Sequence, residues 1–192
     1  MNKERPVYQS KGFSLIEVLV TLLLVTIGIL GMVALQSRGI EMTQDSVQRN
    51  SAIELTSQIT DIMRAYPEEL YEGSDPLRRP SATFKSSSMF LKAPGNNFTP
   101  ALTEPSAAQC QSPTSPQMQR DCWMKDVKVR LPNADALIAP HFHICRSSEP
   151  TKCDGKGSTL EIQLAWAVKK GTCPDATLDN DSICVYRSRI EL

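Results

Sequence analysis

From Val18 to Ser37 the chain carries no charge: VLVTLLLVTIGILGMVALQS. Wound as an α-helix, that run rises roughly 30 Å, the thickness of one bilayer core. A soluble helix of this length normally keeps a polar face, and this one has none. The stretch is therefore read as a membrane span. Lys3, Arg5 and Lys11 precede it, opposed only by Glu4. Such a positive flank holds the N-terminus in the cytoplasm and puts everything after residue 37 on the far side. A secretory signal peptide fits poorly. Its apolar core is shorter, and Met32-Val33-Ala34 makes a poor cleavage site.

The cysteines agree with export. Cys110, Cys122, Cys145, Cys153, Cys173 and Cys184 all follow the span. An even number confined to the exported part indicates disulfides in an oxidising compartment. Several connectivities are open to six cysteines. Local pairing is expected, as Cys110–Cys122, Cys145–Cys153 and Cys173–Cys184, because each pair closes a short polar loop. Lys+Arg and Asp+Glu balance at 21 each. With no basic block, the chain offers no footprint for nucleic acid.

Three regions separate by composition. In the first, Ile40, Val47, Leu55, Ile59, Ile62, Met63 and Tyr66 continue the apolar run at helical spacings. No proline occurs between Phe13 and Tyr66, and Pro67 ends the pattern. One long helix is predicted over residues 13–66, its first half (13–36) in lipid and its amphipathic second half (37–66) on a core. The second region, 67–122, holds 8 of the 13 prolines and reads as loop. Within it, Ala82–Lys92 could form a strand or a helical turn. The third, 123–192, alternates. Val127, Val129 and Leu131 suggest a strand over Asp126–Leu131. Leu160, Ile162, Leu164, Trp166 and Val168 mark a half-buried strand over Thr159–Lys169, with Glu161 and Gln163 on its other face. His141–Cys145 and Ile183–Ile190 are weaker strands. The expected fold is α+β, a long helix packed on an antiparallel meander of three or four strands.

The most specific residues are Lys11-Gly12-Phe13-Ser14-Leu15-Ile16-Glu17. Gly12 has no side chain, so a protease can approach the bond after it. Phe13 opens the apolar helix. Glu17 is a lone carboxylate at the start of a membrane helix, expensive to bury and hence a functional suspect. A plain membrane anchor explains the span but not these residues together. The run resembles the prepilin-peptidase site of type IV pilins and type II secretion pseudopilins, and the stretch to about residue 36 looks like the PilV-type minor pilins. The resemblance implies a leader of residues 1–12, cleavage after Gly12, N-methylation of Phe13, and pairing of Glu17 with a neighbouring subunit during assembly. It implies prepilin peptidase, other minor pilins, the major pilin and a large tip adhesin as partners, and inner-membrane lipid before assembly. Ala34 stands where many major pilins carry a kinking proline, and six cysteines replace one C-terminal pair. Both departures point to a minor, low-copy subunit, which the resemblance would place near the pilus tip, helping to initiate assembly. The same architecture would also serve a minor pseudopilin of a secretion or competence machine.

Other chemistry is weaker. His141, His143 and Cys145 would share one face of a strand, and two imidazoles with a thiolate could hold zinc. No fourth ligand is evident, and Cys145 is expected to be oxidised, so no metal and no cofactor are expected. Two histidines close together meet no catalytic geometry, and Glu68-Glu69 follow a helix end where solvated charge is common. A structural subunit is expected, with a membrane-anchored periplasmic enzyme or binding protein as the alternative class. Gly28 and Gly31 could ease helix contact in the membrane, but their spacing is not that of the GxxxG motif.

Overall fold

The structure is a computed structural model that describes residue 12 and residues 14–73, 84–173 and 182–192. Residues 1–11 and Phe13 lie outside the described residues, as do Ala82 and its neighbours back to residue 74. Along the chain come α1 (Leu15–Ala65), α2 (Pro67–Leu70), α3 (Ala107–Gln111), α4 (Pro116–Arg130), α5 (Ala134–His141), β1 (His143–Arg146), β2 (Leu160–Ala167) and β3 (Ile183–Ile190). Two compact units divide it, one ending at Met42 and the other beginning at Thr43.

In the first unit, none of the 23 residues from Leu15 to Ser37 is buried. So much exposed aliphatic surface needs lipid or other chains around it. The two threonines in this run turn their hydroxyls back onto the helix, Thr21 Oγ1 donating to Val18 O at 2.9 Å and Thr26 Oγ1 to Leu23 O at 2.8 Å. Hydroxyls satisfied inside the helix are compatible with a surrounding that offers no hydrogen bonds.

In the second unit, α1 buries Ala52, Leu55, Thr56, Ile59, Thr60 and Met63, while Ile62 and Tyr66 are partly buried. The stripe differs from the expected one, since Val47 is 58% exposed. Eight residues turn about 80° beyond two full circles. Val47 therefore lies on the far side of Leu55 from Ala52, Ile59 and Met63. Ile40 is also exposed. The helix stops at Ala65, and Pro67 opens the short α2 at a first-turn position, where its missing amide costs nothing.

The strand expected over Asp126–Leu131 is the end of helix α4. Ser115 caps α4 by accepting from Met118 N at 3.2 Å, and Pro116 occupies its first turn. Its buried residues Arg120, Trp123, Met124 and Val127, followed by Leu131, recur at three and four. Val129 is turned away and 79% exposed. Alternation over three apolar positions was too short to tell the two periods apart. The 67–122 region likewise holds α2, α3 and the start of α4. Ser106 and Gln109 form a reciprocal capping box on α3.

The sheet is an antiparallel meander in the order β1-β2-β3, three strands among the described residues. Ile144, Leu160, Ile162, Leu164 and Trp166 join the buried face of α1 in one core. Trp123 ties α4 to α1 by donating from Nε1 to Leu55 O at 2.8 Å. Gln119 Nε2 donates to Tyr66 Oη at 2.7 Å.

Candidate functional site

Two places carry the residues singled out above. Just before α1, Gly12 is exposed, and among the described residues nothing beyond its chain neighbours lies within 4 Å of where a Cβ would stand. The first helical turn is set by Ser14, whose carbonyl accepts from Glu17 N at 3.0 Å and from Val18 N at 3.3 Å. Glu17 is exposed in that turn, where its negative charge complements the free amides of the helix start. Phe13, the expected first mature residue, lies outside the described residues.

The second place is the far face of the sheet. Glu161 and Gln163, expected to face solvent, are 1% and 4% exposed. Cys145 pairs with Glu161 across β1 and β2, and His143 with Gln163, so these four share one face. The loop after β1 covers part of it. Glu161 Oε2 accepts from Thr151 N at 2.7 Å, and Oε1 lies 3.2 Å from His143 Nε2. Gln163 Nε2 donates to His141 O at 2.6 Å, and its Oε1 accepts from Arg187. Buried polar groups need such partners, and a strand pattern alone cannot show that a loop will supply them. Thr151 sits at φ 69°, unusual for a β-branched residue, in the turn that delivers its amide to Glu161.

The disulfides are Cys110–Cys122, Cys145–Cys153 and Cys173–Cys184. The first staples α3 to α4, the second fastens the loop over the polar face, and the third holds the start of β3. His143, Cys145 and Cys153 place ligand atoms within 4.8 Å of one another. His141, at the end of α5, is outside that group. Because Cys145 and Cys153 are bonded to each other, neither supplies the thiolate that zinc takes.

Burial holds the His143 imidazole below the usual histidine value. Glu161 pulls the other way, and the charges of Arg187 and Lys92 add to the lowering. Its Nδ1 is buried without a partner among the described residues. The unfolded chain therefore binds a proton at this site at a higher pH than the folded one. Stability contributed by neutral His143 is present above the unfolded value of about 6.5 and is lost as pH falls below it. Burial lowers His141 in the same direction. Unfolding of the headpiece should thus move to lower temperature between about pH 7 and pH 5. His143→Gln should flatten that slope in thermal melts of the full chain. A variant with the wild-type slope would remove His143 as its cause. Asp154, held at about 2 by Ser148 and the Lys156 amide, acts only in more acid solution.

Residues 8–33 match the prokaryotic N-terminal methylation motif. The motif indicates a type IV pilin-like protein, of a pilus or a pseudopilus. It contains Gly12, Phe13 and Glu17 and most of the exposed apolar run of α1. The α+β headpiece, a long helix on a small antiparallel sheet, is consistent with a type IV pilin fold. No curated protein and no solved structure gives a significant match to the chain. The motif in a pilin-like chain implies processing by prepilin peptidase and assembly with other pilins. Together with the fold it points to a structural subunit. The apolar helix is consistent with an inner-membrane anchor.

Proposed function

We propose that this chain is a minor pilin of a type IV pilus, a subunit near the tip that helps initiate assembly and supports motility and adhesion. The observation that carries the reading is the exposed apolar run Leu15–Ser37, which follows Gly12 and holds Glu17 in its first turn, in a chain whose second unit is disulfide-bonded. Support for a minor subunit comes from α1 continuing through Ala34 without a proline, and from three disulfides in place of one. In this reading residues 1–12 are a cytoplasmic leader, residues 13–36 the membrane and assembly helix, and residues 37–192 the periplasmic part. Before assembly the chain sits in the inner membrane. Afterwards it contacts other minor pilins and the major pilin, and supports a large tip adhesin.

Intact-mass analysis tests the processing step. The mature chain should begin at N-methyl-Phe13 in wild-type cells and retain residues 1–12 in cells lacking prepilin peptidase. One N-terminus in both strains would sink the reading. Gly12→Leu should also block cleavage, since the site needs close approach to the backbone. Quantitative proteomics of sheared pili separates the two machines. A minor pilin is present there far below the main subunit, and its loss removes pili. A pseudopilin is absent from pili, and its loss stops secretion.

A further inference from the structure

The headpiece carries a concave feature that the pilin reading does not use. Between the segment after Phe84 and strand β1 lies a pocket of about 500 Å³, open to solvent on one side. That volume is in the range of small-molecule sites. Its charge is one-sided. Lys85, Lys92 and Arg146 line it, and no carboxylate does among the described residues. Asp154, between the lining residues Cys153 and Gly155, turns its carboxylate to Ser148 and to Lys156 N.

The three cations differ in what they can offer. Lys92 is 2% exposed and spends its ammonium on the carbonyls of Ala93, Ala139 and Phe142, so it contributes field rather than contact. Arg146 donates Nε and Nη2 to Gly157 O at 3.2 and 3.0 Å and lies 5.5 Å from the Phe84 ring centroid. These contacts fix its planar fork while Nη1 takes no partner among the described residues, a pre-organised donor for an anionic oxygen. Lys85 also lines the pocket and donates to Glu68 O, with further ammonium hydrogens to spare.

The rest of the lining is apolar at Leu91, Ala93 and Ile144 and polar at Ser86, Ser87, Asn96 and Asn97. Their hydroxyls and amides both donate and accept. Such groups match a ligand rich in hydroxyls. An extended peptide has no edge to join here, because Lys92 already exchanges both backbone hydrogen bonds with Ile144, at 2.8 and 2.9 Å. An inorganic anion would fill only a fraction of the space. We propose that this pocket binds an acidic saccharide, its carboxylate or sulfate on Arg146 and Lys85 and its hydroxyls on the serine and asparagine wall.

The test is calorimetric titration of the full chain in micelles of a detergent without a sugar headgroup. The probes are uronic-acid and sulfated trisaccharides, their neutral counterparts, and inorganic phosphate. At least one acidic trisaccharide should bind with Kd below about 1 mM. Its neutral counterpart should bind at least about tenfold more weakly, and roughly 0.5 M salt should weaken the acidic probe. Arg146→Gln should remove binding. Because that change also loses the Gly157 contact, Ser87→Glu provides a second variant. It sets a negative charge on the exposed rim without deleting a hydrogen bond found in the structure, and it too should remove binding. The proposal is overturned by saturation with none of the acidic probes, by equal affinity for neutral ones, by phosphate binding as tightly as the saccharide, or by wild-type affinity in Ser87→Glu.

Discussion

Glu17→Leu should leave cleavage and membrane insertion intact and nearly abolish incorporation into pili. The carboxylate sits in the first turn of α1, exposed, with its amide on Ser14 O. Four residues of helix rise only roughly 6 Å, so a helix extended to residue 13 would put Glu17 that close to it. In the membrane it is therefore near the polar edge, and a leucine there costs nothing. In the proposed assembly α1 enters an apolar bundle, where an unpaired charge costs about 2.5–3.5 kcal/mol on insertion scales. In the proposed pilin, whose mature chain would begin at Phe13, the cation within reach is an N-terminal amine, of the same chain or of a neighbouring subunit. Leucine at position 17 leaves that amine buried without its counter-charge. A penalty of this size is roughly a hundredfold in an equilibrium constant. The measurement is the ratio of this protein in sheared pili to that in the membrane fraction. Glu17→Asp should recover part of the loss. Equal ratios for Glu17→Leu and wild type would show that the carboxylate has no assembly role.

Arg120→Met should destabilise the headpiece by about 3–5 kcal/mol, the usual cost of stranding one member of a buried ion pair. Both side chains of the Arg120–Asp121 pair are fully buried. Arg120 donates Nε and Nη2 to Asp121 Oδ1 at 2.9 and 2.7 Å, Nη1 to Met89 O at 2.9 Å, and Nη2 to Pro100 O at 3.0 Å. Its guanidinium also lies 5.3 Å from the Phe98 ring centroid. Asp121 Oδ2 accepts from Thr103 N at 3.0 Å and from Thr103 Oγ1 at 2.6 Å. Two adjacent residues of α4 thus pin the loop at Met89, Phe98, Pro100 and Thr103. Total stabilities of about 5–15 kcal/mol make such a loss severe. Urea unfolding of the full chain, followed by the buried Trp123 and Trp166, reads it. Arg120→Met with Asp121→Leu should cost less than the sum of the single changes, because neither charge is then stranded. A loss below about 1 kcal/mol in the single variant would mean that the loop is held by other contacts.

The sequence by itself determined the features whose cause is local. An uncharged run long enough for a bilayer needs no tertiary partner to be recognised, and Gly12, Phe13 and Glu17 sit at its start. Strand β2 was legible because Leu160, Ile162, Leu164 and Trp166 repeat at period two on a buried face. Local signals for α3 and α4 were also present, in Ser106-x-x-Gln109 and Ser115-Pro116, but proline and serine content masked them and three alternating residues outweighed them. Tertiary structure decided what covers the rest. Glu161 and Gln163 alternate as a solvent face does, yet the disulfide-held loop after β1 and the groups of His143, His141 and Arg187 bury and satisfy them. Arg120 and Asp121 fall at the end of the stretch read as loop, and only the return of Met89, Pro100 and Thr103 across α4 turns them into a buried hub. The physical reason is the same in both cases. A polar residue is stable inside when distant backbone supplies its hydrogen bonds, and periodicity, which senses only neighbours along the chain, carries no record of those partners.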